Sequence, residues 1–303
     1  MLFNVCALYI KIMNNENQTI HKSDDNLTIY GWNEKLNQLK QESIYSTLAH
    51  GRVSIVHRTC YEVISGNGLF QCELTGNMMY GKSDDELPCT GDWVIFQPFD
   101  EHKGIIVDRL PRERTLYRKK SGTVADKQAI ASYVDKAFIV QSLDDNFNVR
   151  RVERFMVQIM EENISSVLVL NKADLDFDRQ SVEEQIKHIS SQIPVFFTSI
   201  HQLETIVRLR KSISEGETVV FVGSSGVGKS SLVNALCEKP VLLTSDISLS
   251  TGKGRHTSTR REMVLMDSSG VLIDTPGVRE FGLAIDNPDS LAEVLEISDY
   301  AEL

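Results

Sequence analysis

The spacing of hydrophobic positions changes character twice along the chain. Between Trp32 and Tyr45 the apolar residues Leu36, Leu39 and Ile44 fall at helical spacing, which predicts a short helix. From Ala49 to Leu110 the period shortens. Arg52–Val56, Cys60–Ile64, Leu69–Leu74, Trp93–Phe96 and Gly104–Val107 read as five short strands, and Ser65-Gly-Asn-Gly68 is a hairpin signal between the second and third. Five strands without an intervening long helix predict a small Greek-key barrel of the OB type. Barrels of this kind recur as RNA binders and also serve as protein-contact modules, so the pattern alone leaves both open.

Beyond Tyr133 strands and helices alternate. Ala137–Val140, Val167–Leu170, Ile193–Thr198 and Thr218–Val222 are short apolar runs. Helical spacing is seen in Arg150–Glu162, with Val152, Phe155, Met156 and Ile159 on one face, around Ser181–Ser190, in Leu203–Ile213 and in Ser231–Cys237. Glu262–Met266 and Val271–Asp274 read as a pair of strands that completes a sheet. The alternation predicts a mostly parallel sheet covered on both faces.

Three motifs sit at strand ends of this second half. Gly223-Ser-Ser-Gly-Val-Gly-Lys-Ser230 satisfies the phosphate-binding loop pattern G-x-x-x-x-G-K-[ST], between a strand and a helix as that loop requires. Its glycines let backbone N–H groups of Gly223, Ser224, Ser225, Gly226, Val227, Gly228 and the following Ser231 turn toward phosphate oxygens at a helix N-terminus. Lys229 is expected to reach the β- and γ-phosphates as the catalytic cation, and Ser230 to ligate Mg²⁺. Asn171-Lys172-Ala173-Asp174 closes the Val167–Leu170 strand. A carboxylate there can accept from both N1–H and the 2-amino group of guanine, donors that adenine lacks. Asp274-Thr-Pro-Gly277 follows Val271–Asp274, so Asp274 would hold Mg²⁺ through water and the Gly277 N–H would meet the γ-phosphate.

Together these are GTPase motifs in an unusual order, because N-K-x-D precedes the phosphate loop instead of following it. The domain is therefore expected to be circularly permuted. The sequence resembles the small-subunit ribosome-biogenesis GTPases of the RsgA/YjeQ family. Beyond the permuted order, Gly254-Arg-His-Thr-Ser-Thr259 is similar to that family's G-R-H-T-T-T switch segment. Thr198-Ser199 matches its guanine-proximal T-S, and Gly51-Arg52-Val53 with Gly91-Asp92-Trp93 matches its barrel. The resemblance implies an α/β P-loop GTPase domain preceded by an all-β OB-type barrel. It also implies Mg²⁺-dependent GTP hydrolysis stimulated by ribosomal subunits, with GTP, GDP, the small ribosomal subunit and its rRNA as partners. Residues 1–30 are then a leader, 31–110 the barrel, 111–132 a basic linker, 133–285 the GTPase domain and 286–303 a C-terminal helical segment.

Charge refines this picture. The 303 residues carry a formal net charge of −10, which argues against indiscriminate nucleic-acid binding and asks for a local basic patch. The run Arg109–Lys120 supplies one. Arg112, Arg114, Arg118 and Lys119 are its candidate RNA contacts, with Tyr117 among them to stack on a base. The acidic Gly81–Pro88 loop would repel phosphate. Five scattered cysteines, with no C-x-x-C pair, indicate reduced thiols in a cytoplasmic protein. The family usually carries a zinc-binding Cys/His subdomain after the GTPase domain; no such cluster occurs in this sequence, so either the sequence stops short of it or this member dispenses with the metal, and zinc is not expected in this chain. Met1–Met13 is apolar but lacks a basic n-region and is too short to span a bilayer, so no membrane role is expected, and Met13 is an alternative start. A monomer is expected.

Hydrolysis requires a water-orienting group. Val278 occupies the place where many GTPases carry Gln, so slow intrinsic turnover is expected, with help from a partner. His256 is the candidate polar group, Arg255 an alternative source of charge, and Thr257 the candidate switch ligand to Mg²⁺. Two other functions compete: a P-loop ATPase or kinase, and an RNA-binding module with a vestigial nucleotide site. Base selectivity tests the first and turnover the second.

Overall fold

The computed structural model describes residues 26–80, 82–83, 85–119, 127–145, 147–239, 241–242, 262–267 and 270–275. Helix α1 (Glu34–Glu42) starts where the Asn33 side chain accepts from the Leu36 N–H at 3.1 Å, satisfying one orphan donor of the first turn. It is shorter than the sequence predicts. Ser43 is extended, and Ile44, expected on the packed face, is 89% exposed.

Strands β1 (Ala49–Val56), β2 (Tyr61–Ser65), β3 (Gly68–Leu74), β4 (Trp93–Asp100) and β5 (Lys103–Arg109) follow, with the four-residue helix α2 (Gly76–Met79) after β3. The order β1-β2-β3-β5-β4 closes on itself through β1–β4, and β3 runs parallel to β5, which makes the expected five-stranded OB-type barrel. Val53, Val63, Phe70, Cys72, Val94, Phe96 and Ile106 fill its interior. Because successive strand residues face opposite sides, the neighbours Trp93 and Ile95 point outward. There they join Leu27, Trp32, Leu36, Leu110 and Tyr133 in a second apolar seam that packs α1 on the barrel.

The segment expected as a basic linker is instead partly folded. Strands β6 (Leu116–Lys119) and β7 (Lys127–Ala131) pair antiparallel, and Leu116 and Ile130 are buried in the core of the nucleotide domain. Gln158 donates to the Tyr117 carbonyl at 2.6 Å, which pins the hairpin to the domain.

That domain contains β8 (Lys136–Ser142), α3 (Val149–Glu161), β9 (Ser165–Asn171), α4 (Arg179–Gln185), α5 (Lys187–Ser190), β10 (Val195–Thr198), α6 (Leu203–Lys211), β11 (Thr218–Val222), α7 (Lys229–Leu236), β12 (Glu262–Leu265) and β13 (Val271–Asp274). The sheet order is β10-β9-β8-β11-β13-β12, parallel except for β12. Alternation sorts its side chains into two layers. Ile139, Leu168, Leu170, Val220 and Val222 face α3. Phe138, Val140, Val169, Val219 and Phe221 face α6 and α7. The chain leaves β8 toward β9 and later returns to its other side as β11. The crevice at that reversal, at the carboxyl ends of the strands, is where ligands bind in such sheets. Ile55 of β1 pairs with Glu262 of β12, so barrel and nucleotide sheet form one continuous 11-stranded sheet.

Candidate nucleotide site

The phosphate loop leaves β11 through Gly223. Its φ of +147° excludes any side chain, and so does its position, where a Cβ would lie only 2.3 Å from the Val140 carbonyl oxygen. The loop enters α7 through Gly228 at φ +94°, where a Cβ would lie 2.3 Å from Asn171 Nδ2. Gly228 offers no capping side chain, so the first N–H groups of α7 are open to an anion. The buried Lys229 amine donates to the carbonyls of Gly223 and Ser224, both at 2.8 Å. Its pKa is lowered by burial, with the Asp274 carboxylate opposing that shift.

Beside it, Ser230 Oγ donates to Asp274 Oδ2 at 2.9 Å. Asp274 lies at the end of β13 and is buried, and its other oxygen, Oδ1, has no hydrogen-bond partner among the described residues. Burial raises its pKa, while the Ser230 hydrogen bond and the Lys229 charge pull it back. An orphaned carboxylate oxygen next to a hydroxyl is an oxygen donor set that fits a hard cation such as Mg²⁺. The following residue is braced too, since the Thr275 hydroxyl donates to the Phe221 carbonyl.

The guanine-type motif is bolted to the phosphate loop. Asn171 Nδ2 donates to the Val227 carbonyl at 2.9 Å, and Asn171 Oδ1 accepts from the Thr198 hydroxyl at 3.2 Å. Asn171 and Thr198 are both buried, and these bonds brace the phosphate loop from behind. Lys172 adopts φ +61°, and its amine meets Asp144 Oδ2 at 2.8 Å, while Ser142 donates to Asp144 Oδ1 at 2.7 Å. Asp174 is exposed at the rim, and a hydrogen bond from the Ser199 side chain holds its carboxyl below the usual range. The Thr205 hydroxyl fixes Ser199 in turn, accepting from its N–H at 3.0 Å.

The sequence and fold are matched by related proteins. The family model described as RsgA GTPase matches residues 109–284. The Small ribosomal subunit biogenesis GTPase RsgA 1 of Bacteroides thetaiotaomicron is 73% identical over 290 residues, covering 96% of this chain and 80% of that relative. The chain belongs to the RsgA GTPase family. A member from Methanosarcina acetivorans, Small ribosomal subunit biogenesis GTPase RsgA, is 36% identical over 300 residues, covering 95% of this chain and 79% of that protein. In fold, the chain is similar to the crystal structure of YjeQ from Thermotoga maritima, with a TM-score of 0.60 at 24% identity over 80% of each chain. It is similar also to that of YloQ, a circularly permuted GTPase, with a TM-score of 0.57 at 20% identity over 84% of this chain and 80% of that one. The permuted α/β domain behind an OB-type barrel is thus the fold of this RsgA GTPase.

Among the candidate residues, the structure gathers Gly223 to Ser231, Asn171, Lys172, Asp174, Thr198, Ser199 and Asp274 around one crevice. Arg255, His256, Thr257 and Gly277 lie outside the described residues. The basic run divides. Arg112 is not available to RNA: its guanidinium grips the buried Asp92 carboxylate at 2.7 Å and donates to the carbonyls of Asp85 and Leu87. Arg114 is half-buried against Glu113 and Asp135. Arg118 bonds Gln128 at 2.9 Å. Asp144 and Thr205 had no motif to announce them; only their placement against Lys172 and Ser199 reveals them. Among the described residues, no group of three or more His, Cys, Asp or Glu is arranged to hold a metal, and no helix is long and apolar enough to cross a membrane.

Proposed function

We propose that this chain binds GTP with Mg²⁺, hydrolyses it slowly, and acts in maturation of the small ribosomal subunit, which stimulates the reaction. What carries this is the Asn171–Val227 hydrogen bond, which joins an N-K-x-D motif to an intact phosphate loop at the switch point of the sheet. The charge on Lys229 and the open N–H groups of the loop and first turn of α7 neutralise the phosphate oxygens and position the γ-phosphate for attack. Ser230 and Asp274 would hold Mg²⁺, which would supply charge stabilisation to the phosphates. Asp174 selects guanine by accepting from its two donors. His256 is proposed to orient the attacking water, with Arg255 an alternative source of positive charge, Thr257 a further ligand that would hold Mg²⁺, and the Gly277 N–H a donor for the γ-phosphate.

Contact with rRNA is assigned to the barrel and to the surface of the β6–β7 hairpin around Arg118 and Lys119, with Arg112 withdrawn from the set. Cytoplasmic residence as a monomer goes with this function. The test is GTP and ATP hydrolysis by the full chain with and without small ribosomal subunits. Selective, slow GTP turnover accelerated by subunits is expected. Equal use of ATP would favour a P-loop ATPase, and nucleotide binding without turnover in either condition would favour an RNA-binding module.

A further inference from the structure

Arg52, on barrel strand β1, is a buried cation whose hydrogen bonds end on neutral oxygens. Its guanidinium donates to the carbonyls of Tyr30 at 2.5 Å, Gly91 at 3.0 Å and Tyr133 at 3.4 Å, and to the Thr218 hydroxyl at 2.9 Å. It also lies over the Trp93 ring, 5.5 Å from the centroid. A buried charge is by itself weak evidence of a stabilising role. What arginine adds is a rigid fork of directional donors, here spread over four separate pieces of chain. These are the turn before α1, the barrel, the entry to the nucleotide domain and the first residue of β11.

The last of these reaches the site. Thr218 opens the strand whose far end becomes Gly223, roughly 16 Å away at the usual rise per residue. All five residues of β11 are buried, with β8 paired on one side and β13 on the other. A strand so enclosed moves as a body, because close-packed interiors have little slack. Thr218 is gripped from a second direction, since its N–H donates to Asp135 Oδ2 at 2.8 Å and Asp135 Oδ1 meets Arg114 at 2.9 Å. Three residues further along β1, Ile55 pairs with Glu262 of β12, which is hairpinned to the strand that ends in Asp274. One barrel strand therefore touches both the base of the phosphate-loop strand and the hairpin leading to the Mg²⁺-type carboxylate.

We propose that Arg52 is a positioning residue for GTP turnover, coupling the barrel to the phosphate loop through Thr218, so that seating the barrel on its partner and filling the nucleotide site bias one another. This rests on the function proposed above and names how that site is regulated. By linkage, whatever force the barrel exerts on the site, the site returns to the barrel. The coupling can thus be read with nucleotide alone.

The test uses the full chain, unmodified and as Thr218→Val, Arg52→Met and Arg52→Lys. Thr218→Val keeps shape and strand preference while removing the acceptor. Hydrogen–deuterium exchange is followed in β1, β4 and the phosphate loop, with and without the β,γ-imido analogue of GTP and Mg²⁺. In the unmodified protein the analogue should slow exchange in the loop and, by about threefold or more, in β1 and β4. In Thr218→Val the loop response should persist while the barrel response falls about threefold or more. The KM for GTP should stay within about twofold, and stimulation by small subunits should fall about tenfold. Arg52→Lys, which can still donate to Thr218, should recover part of what Arg52→Met loses.

Variants that only melt earlier, with barrel response and stimulation intact, would reduce Arg52 to a structural bolt and overturn the coupling. So would an unmodified protein whose loop responds to the analogue while its barrel does not. A protein with no response anywhere would overturn the GTPase function itself. One that couples loop to barrel but is indifferent to subunits would overturn the ribosomal part of the function and leave the coupling standing.

Discussion

Asn171→Ala is the sharpest test of how the guanine motif and the phosphate loop are built together. Asn171 makes two buried hydrogen bonds, to the Val227 carbonyl at 2.9 Å and from the Thr198 hydroxyl at 3.2 Å. Truncation strands one acceptor in the loop and one hydroxyl in the core. Each stranded group costs about 1–3 kcal/mol. The Val227 share falls on a loop that no longer holds its shape before the nucleotide arrives. At about 1.4 kcal/mol per decade, the Kd for GTP and for GDP should rise between about fivefold and 150-fold. The Thr198 share falls on the fold and should lower Tm by roughly 2–12 °C for a domain of this size. Asn171→Asp sharpens the test further, because it keeps the shape but sets a carboxylate oxygen against the Val227 carbonyl where a donor stood. It should lose more affinity than the alanine variant. Calorimetric titration with both nucleotides, beside a thermal melt, measures both shares. Affinities within about twofold of the unmodified protein, or an aspartate variant that binds as well as it does, would refute the loop-positioning role.

The other expectations are independent of that bond. Asp174→Asn should weaken GTP and gain xanthosine triphosphate, because the new amide can donate to the 2-oxo group; competition binding reads it directly, and unchanged GTP preference would move base selection elsewhere. Arg112→Met leaves the Asp92 carboxylate buried and unpaired and should cost about 3–5 kcal/mol in chemical denaturation, the usual penalty for breaking a buried pair from one side. Arg118→Ala with Lys119→Ala should cost at most about 1 kcal/mol of stability, for the Gln128 bond, and flatten the salt dependence of subunit binding by about 0.7–0.9 for each phosphate no longer neutralised. His50 stacks on Trp32 at 4.1 Å between ring centroids, and burial, with the Lys40 charge, lowers its pKa to about 3 from 6.5. The unfolded chain therefore binds a proton between about pH 6.5 and 3 that the folded chain refuses, and stability falls on acidification across that window. Relative to His50→Gln, the unmodified protein should lose about 2 kcal/mol between about pH 7 and 5, read from denaturation midpoints at each pH.

Local features are written in the chain itself. Period-two runs at Ala49–Leu110 specify a barrel, and the alternation after Tyr133 specifies a covered parallel sheet, because each strand or helix carries its own burial pattern. The phosphate loop is equally legible: Gly223 to Ser230 are contiguous, and the physics of a glycine loop at a helix start needs no distant partner. Which distant group each polar side chain meets is another matter, and there the fold decides. Arg112 and Arg118 look alike in the basic run, yet one is spent on the buried Asp92, 20 residues away, while the other bonds the Gln128 side chain of its own hairpin. The 111–132 segment can pass for a solvated linker because its apolar anchors, Leu116 and the Ile130–Ala131 pair, are too few to show a period. Asn171 sits in a local tetrapeptide motif, yet its side chain braces Val227, 56 residues along the chain. Arg52 stands in a barrel motif, while its decisive partner Thr218 lies 166 residues away, at the start of a strand that sequence shows only as apolar. Burial makes an unmet hydrogen bond costly enough to dictate such partners, and which groups are buried together is settled only when the layers close.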